Sequence, residues 1–412
     1  MQKVTLSALA ALVVSGAAYA DTMTLYTDPA TGQVFTAPAE GRVEMGDFID
    51  AKTVYLENQA QDSAIAKEKS KDKSTKTYAK ASKLQFSGQH YIGYTYQANE
   101  NADATGDSHD TGKFELRRNY VQVKAYLFDD PKSYMRVTLD AKQNPNLDKG
   151  SMDVRVKYAF LYLDDILPYT GVEIGLAHRP WLDYEEHQGW WYRCIDETFN
   201  ESHQGAHLWN SADFGFNLKT KTPYFTSEVG IFNGEGYHEI ETQNGVSAEW
   251  RLTAAILGNG DQKRKQRKST YWDASFHGKY NTQNSSNNNE TFGVYGLHTV
   301  YNMPEFLIAA HYTQADNDAP NTTSKNGSGY SVNAEYRFGS DLEFALLARV
   351  DRWTPENSTT DVESPEHQHE LYGIAWEQNS NVTWVLNGKH YKEEDTSAGE
   401  FNSYMLTAEI NW

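Results

Sequence analysis

From Lys83 to Trp412 the sequence alternates. Runs of about ten residues carry apolar side chains at every second position, and turn-rich pieces separate each run from the next. In "SYMRVTLDA", Met135, Val137 and Leu139 oppose Arg136, Thr138 and Asp140. In "NYVQVKAYLF", Val121, Val123, Ala125 and Leu127 oppose Gln122 and Lys124. A strand puts successive side chains on opposite faces, so each run predicts a strand with one apolar and one polar face. Sixteen are legible, near 83–97, 113–128, 132–143, 152–164, 170–179, 207–219, 222–232, 245–257, 269–281, 290–302, 303–315, 327–339, 340–353, 367–378, 379–391 and 402–412. The last run, "SYMLTAEINW", ends the chain on Trp412 in mid-alternation. A terminal strand stays ordered only when something pairs with it. Pairing with the first run would close the sheet and remove both edges.

The connections give an independent constraint. Tight turns such as "DDP", "KTKT", "NMP", "GS" and "NSN" alternate with long polar pieces such as "ANENADATGDSHDTG" and "TPENSTTDVESPEH". A transmembrane barrel has this asymmetry, short on the periplasmic side and long outside, with an even strand number. One piece breaks it: "GNGDQKRKQRKS", at 258–269, falls where a short turn belongs. A soluble sandwich would need one core large enough for all these apolar faces, and its strands are usually shorter. Composition agrees with the barrel. The mean hydropathy is −0.71, yet the chain carries 27 Tyr, 17 Phe and 10 Trp. Polar lumen faces and aromatic girdles produce that pairing. The expected fold is all-β: a 16-stranded antiparallel transmembrane β-barrel over 83–412, in the outer membrane and in contact with its lipid.

Residues 1–20 predict a secretory signal peptide: Lys3, an apolar stretch from Val4, and the small-x-small site Ala18-Tyr19-Ala20. Residues 21–82 predict a periplasmic N-terminal extension or linker, with turn signals and no sustained period, then a lysine-rich solvated piece. Cys194 is the single cysteine, so no disulfide within the chain is available. A net charge of −19 argues against nucleic acid as a partner.

One external connection is longer and more aromatic than the rest: "HRPWLDYEEHQGWWYRCIDETFNESHQGAH", roughly 178–207. Sixteen strands leave a water-filled lumen. A loop this aromatic is expected to fold into it and narrow the pore, with Trp181, Asp183, Tyr184, Glu185, Glu186, Trp190, Trp191 and Arg193 as constriction residues. The wall offers inward cations: Arg118, Lys124, Arg136, Arg155, Lys157 and Arg179 as the main set, with Arg251, Arg337 and Arg349 beyond it.

Three features together resemble the porin O and P family, the phosphate-selective porins of bacterial outer membranes. They are "FELRRNYVQVKAYLFDD" with its paired Arg117-Arg118, "GLAHRPWLDYEEH" leading into the third external loop, and the sixteen-strand count. The resemblance covers about 83–412. It implies passive diffusion of small hydrophilic solutes and ions, a homotrimer, a third-loop constriction, no cofactor, and a preference for anions such as phosphate. The loop departs from that pattern. Over 180–206 it has one basic residue, Arg193, against Asp183, Glu185, Glu186, Asp196, Glu197 and Glu201. Anion pores line their constriction with Arg and Lys. Cation and anion preference therefore both stay open, unless wall arginines such as Arg155 or Arg179 pair with these acids.

Other chemistries are less well supported. Glu185, Glu186, His187, His203 and His207 lack a compact metal-ligand spacing. No G-x-S-x-G is present, so an outer-membrane barrel enzyme has no visible nucleophile elbow. A structural surface protein would call for larger external domains. The basic turn Lys263 to Lys268 is a solvated turn, a site for periplasmic phosphates, or an inward extension that attracts anions.

Overall fold

The computed structural model describes residues 22–49, 83–99, 110–126, 132–143, 152–234, 236–237, 245–282, 292–317, 326–356, 366–393 and 400–412. The chain divides into two compact units at Ser82/Lys83. In the first, β1 (Thr22–Thr27), β2 (Val34–Phe35) and β3 (Val43–Ile49) form a small sheet in the order β2-β1-β3. The absence of a sustained period there misses this sheet. Its strands are short, and β1 and β3 slip register between Leu25 and Tyr26, which breaks the alternation. The signal-peptide assignment and the lysine-rich piece lie outside the described residues.

The second unit is the barrel. Its strands are β4 (Leu84–Asn99), β5 (Thr111–Ala125), β6 (Tyr134–Gln143), β7 (Met152–Leu167), β8 (Thr170–His178), β9 (Ala212–Lys221), β10 (Phe225–Phe232) and β11 (Ser247–Leu257). They continue as β12 (Tyr271–Asn281), β13 (Phe292–Met303), β14 (Phe306–Asn317), β15 (Gly327–Phe338), β16 (Phe344–Pro355), β17 (His367–Asn379), β18 (Val382–Glu393) and β19 (Phe401–Asn411). All sixteen expected runs are strands, each antiparallel to its neighbours in sequence, and the sheet closes. The expected sixth run begins too early. Residues 207–211 belong to the preceding loop, where Leu208 and Trp209 are buried.

Exposure runs opposite to that of a water-soluble protein. Leu84, Phe86, Ile92 and Tyr94 on β4, and Tyr330, Val332 and Tyr336 on β15, are exposed. Asp273, Ser275, His277 and Lys279 on β12, and Asn333, Glu335 and Arg337 on β15, are buried. An apolar outer face and a polar interior suit a barrel surrounded by lipid, so the chain is an outer-membrane protein. Near the short-turn end Tyr336, Phe338, Phe344 and Trp376 stack in a row with ring centroids 5.6–6.3 Å apart, an aromatic girdle at the interface.

Closure runs through the last strand. β19 pairs with β4 from Phe401↔Asn99 to Asn411↔Gln89. Beyond the last strand residue, Trp412 and Gly88 exchange backbone hydrogen bonds of 2.9 and 3.1 Å. The Trp412 indole N–H donates to His90 Nε2 at 2.7 Å. Gly88 makes room for the ring: a Cβ there would lie 2.5 Å from it.

Of the barrel's register shifts, those in β5 and β7 reset the alternation beside wall cations. Tyr91 pairs with Arg118 and Ile92 with Leu116, so Arg117 is the extra residue in β5. Thr138 pairs with Tyr158 and Leu139 with Val156, so Lys157 is the extra residue in β7. A bulge adds one residue and re-aims the side chains around it. Arg117 and Arg118 consequently both reach inward partners, Thr407 and Asp140. Lys157 and Tyr158 are both buried inside.

Trp412→Ala should lower barrel stability by about 1–2 kcal/mol through loss of the ring contact and the indole hydrogen bond. The check is the temperature at which the detergent-solubilised barrel loses its heat-modifiable gel shift. An unchanged temperature would mean that the seam does not depend on this ring.

Candidate functional site

After His178 the chain does not return to the wall until Ala212. Residues 179–211 instead contact inward-facing side chains of β11 through β19, β4 and β5, so the third external loop lies inside the barrel. Arg179 starts it, 1 % exposed, with Nε 2.9 Å from both oxygens of Glu249 on β11. Ser247 and the Trp209 indole also donate to Glu249, at 2.8 and 3.4 Å. This pins the two ends of the loop together. Arg179 is therefore a loop anchor rather than a pore-lining cation, and its partner is Glu249 rather than a loop acid.

A single short helix, α1 (Leu182–Gln188), follows. Trp181 before it donates to Glu185 at 2.9 Å and stacks on His277 with centroids 3.7 Å apart. Glu185 in turn meets His311 at 3.0 Å. Tyr184 donates to Asp273 at 2.6 Å, and the Arg251 guanidinium lies 4.5 Å over its ring. The loop then lays two apolar clusters on the wall. Trp181, Leu182, Phe199 and Trp209 pack on Phe292, Val294, Ala315 and Trp353. Trp190, Tyr192, Cys194 and Ile195 pack on Tyr91, Leu347, Leu371 and Val385, with Trp191 alongside. The inner wall from β13 round to β4 is thus apolar in patches where a plain aqueous lumen would be polar. Burying large rings there contributes roughly 1.5–3 kcal/mol per side chain, which explains why so aromatic a loop folds inward.

The opposite wall stays basic. Arg118 pairs with Asp140 at 3.1 Å and with Glu197 of the loop. Arg155 lies 3.6 Å from Asp140 and 5.3 Å from the Tyr237 ring centre. Lys124, Arg136 and Lys157 have a different environment: among the described residues none has a carboxylate at ion-pair distance. Lys124 lies 4.5 Å over Tyr134, Arg136 4.6 Å over Tyr158, and Lys157 4.6 Å over Tyr120, to whose hydroxyl it also donates at 2.9 Å. Arg136 meets His178 Nε2 at 3.0 Å. Rings hold these cations in place without cancelling their charge. The aromatic supports Tyr120, Tyr134 and Tyr158 are missed by a search for charges alone. Tyr120 and Tyr134 are visible in the sequence as inward-parity tyrosines, whereas Tyr158 turns inward only through the bulge at Lys157.

The loop acids are mostly spoken for. Arg193 gathers Glu186, Glu197 and Glu201, meeting Glu201 at 2.8 Å through Nη2. Asp196 meets Lys389 on β18 at 2.6 Å. Burial would raise the Glu201 carboxyl, but the Arg193 guanidinium outweighs it and holds the group at about 2. Burial likewise opposes Lys389 at Asp196, and the carboxyl still sits at about 2. Glu186 goes the other way: burial pushes it up, and Glu201 beside it adds to the rise. Asp183 lies near His178 and His187, at 3.7 and 3.6 Å, and against burial they hold its carboxyl well below the usual range. Glu185, Glu186 and His187 turn to different partners. Among the described residues no group of three or more metal-ligating side chains is assembled.

No protein-family model matches the chain, and no curated protein does. Solved structures do. An anion-selective porin from Comamonas acidovorans aligns with a TM-score of 0.56 at 10 % identity, over 80 % of this chain and 99 % of its own. OprB of Pseudomonas putida aligns with a TM-score of 0.57 at 9 % identity, over 82 % and 96 %. OmpT of Vibrio cholerae, an outer membrane protein solved in a trimer form, gives 0.54 at 14 % identity, over 80 % and 99 %. The shared feature at these identities is the barrel fold.

Two outcomes follow for the loop. Glu249→Ala leaves Arg179 buried without its carboxylate, which should cost about 3–5 kcal/mol and expose the loop to proteolysis. Resistance equal to that of the native barrel would remove the anchor role. Glu201 and Asp196 have lowered carboxyls, so their contribution is complete above about pH 4.5 and is lost as pH falls toward about 2. Thermal midpoints in detergent should drop as pH falls from about 4.5 toward 2, below the range in which the raised Glu186 titrates. A midpoint that rises across that acid window would contradict the pairing.

Proposed function

We propose that the chain forms a passive diffusion channel for small hydrophilic solutes and ions across the outer membrane. The loop of residues 179–211 is its constriction, and it favours anions. One observation carries the preference: Lys124 and Arg136 face the lumen on aromatic supports and Lys157 is buried on Tyr120, all without a carboxylate at ion-pair distance among the described residues. Opposite them the acids Glu186, Glu197 and Glu201 are drawn onto Arg193 and Arg118. A paired carboxylate projects little field into the passage, whereas an uncompensated cation raises the local anion concentration. Phosphate and chloride are the solutes to test first.

The barrel neighbours support the same proposal. The Comamonas protein is described as anion-selective and one Vibrio structure as a trimer. On this proposal the chain assembles as a homotrimer and is not an enzyme. Residues 1–20 direct export, and 21–82 lie in the periplasm. A cation-preferring porin is the second possibility, carried by the three carboxylates that share the single guanidinium of Arg193.

Reversal potential under a KCl gradient in a planar bilayer tests the preference. The native channel should favour Cl⁻ over K⁺. Lys124→Gln combined with Arg136→Gln should lower that ratio about threefold. A native channel that favours K⁺ would contradict the proposal, and folded barrels without conductance would remove the diffusion role.

A further inference from the structure

The turn between β11 and β12, residues 258–270, is long for its end of the barrel and rich in lysine and arginine. Gly258 opens it at φ +86°, in the left-handed region, where a Cβ would also sit 2.8 Å from the Thr270 carbonyl. Within "KRKQRK" the side chains divide. Lys263, Lys265 and Lys268 are exposed, whereas Arg264, Gln266 and Arg267 are half-buried. The wall fixes this stretch. Asn302 on β13 and Arg337 on β15 donate to the Gln266 carbonyl at 3.0 and 3.1 Å. Arg267 donates to the Leu342 carbonyl at 2.6 Å and meets Glu377 on β17 at 3.1 Å.

Three wall side chains are shared between this turn and the third loop. Asp273 on β12 accepts from Tyr184 of the loop at 2.6 Å and from Arg264 Nη2 of the turn at 3.0 Å. Tyr271 on β12 donates to the Gln188 carbonyl of the loop at 2.8 Å, and the Arg264 guanidinium lies 4.4 Å over its ring. Glu335 on β15 accepts from Tyr192 of the loop at 2.5 Å and from Gln266 of the turn at 2.6 Å. All three are buried. Among the described residues, Arg264 is the only cation at ion-pair distance from Asp273. A buried carboxylate that loses its cation is costly to keep ionised. Arg264 therefore stabilises the acceptor on which Tyr184 depends. Gln266 occupies the Glu335 oxygen that Tyr192 does not use, and so helps fix that carboxylate's orientation.

We infer that the turn of residues 258–270 is a strut for the third loop, and that Arg264 and Gln266 are positioning residues for the constriction. Through Asp273, Tyr271 and Glu335 they hold residues 184–192 against the wall. This deepens the diffusion-channel proposal and rests on its inward loop. It also accounts for a long connection at the end of the barrel where tight turns prevail, without requiring the exposed lysines to meet a solute.

The test is the rate at which maleimide labels Cys194, two residues beyond Tyr192, in barrels that keep the heat-modifiable gel shift of the folded state. Arg264→Gln combined with Gln266→Ala should raise that rate about ten- to hundredfold over the native barrel, because the loop opens more often. Lys265→Gln, at an exposed position, should leave it unchanged. Arg264→Lys keeps a cation for Asp273 and should fall between the two. If the double variant does not fold, Arg264→Gln and Gln266→Ala measured singly should each raise the rate. Labelling of the variants at the native rate would overturn the strut, even if their denaturation temperature falls, since a turn that only stabilises the barrel would do that. Equal acceleration by Lys265→Gln would overturn it as well. The underlying proposal fails separately. Rapid labelling of the native barrel would remove the inward loop itself. Folded barrels that carry no current would remove the diffusion channel, while the labelling rates still decide the strut.

Discussion

The seam of β19 on β4 sets the terms for everything else in this molecule. In hydrocarbon a backbone N–H or C=O without a partner costs several kcal/mol, and only helices and closed barrels avoid that cost. Among the described residues no helix is long and apolar enough to cross a membrane. The strands must therefore satisfy one another all the way round, and the register from Phe401↔Asn99 to Asn411↔Gln89 completes the circle. Closure also fixes which side chains share the lumen. Once each strand's register is set, parity decides which residues meet water and which meet lipid.

Within that frame the lumen is unequal. Its β13-to-β4 side is lined in part by Phe292, Val294, Leu347, Leu371 and Val385, and the third loop seats its rings there. Its β5-to-β7 side keeps Lys124, Arg136 and Lys157 on tyrosine faces. The hydrophobic effect positions the loop, and the ion pairs at Glu249, His311 and Lys389 fix its register against the wall. On the proposed reading, the passage left beside the loop is bounded by basic residues on one side and by acids largely held in pairs on the other.

The barrel was legible because period two is the strongest signal a membrane strand carries, and Val137-Thr138-Leu139 shows it plainly. The inward third loop was legible too, from the density of Trp181, Trp190 and Trp191 in a connection that would otherwise lie in water. Details that depend on a break in parity were not. Simple alternation puts Arg117 and Arg118 on opposite faces, and only the bulge opposite Tyr91 brings both inside. Arg179 has the composition of a wall cation, yet its role is settled by Glu249, seventy residues away in sequence and adjacent only once β8 and β11 are in place. The three-stranded sheet of residues 22–49 escaped for a related reason: short strands with a register slip leave little period to find.

The central claim is that the third loop is packed inside the lumen and not displayed on the surface. The chain's single cysteine, Cys194, sits in that loop, 2 % exposed against Tyr91 and Met405. Burial raises its thiol well above the ordinary range, which slows its reactions further. Maleimide labelling of the folded, unmodified barrel therefore gives a direct measurement. The structure predicts almost no labelling until the barrel is denatured, then one label per chain. Rapid stoichiometric labelling of the folded barrel would contradict it and place the loop outside the lumen.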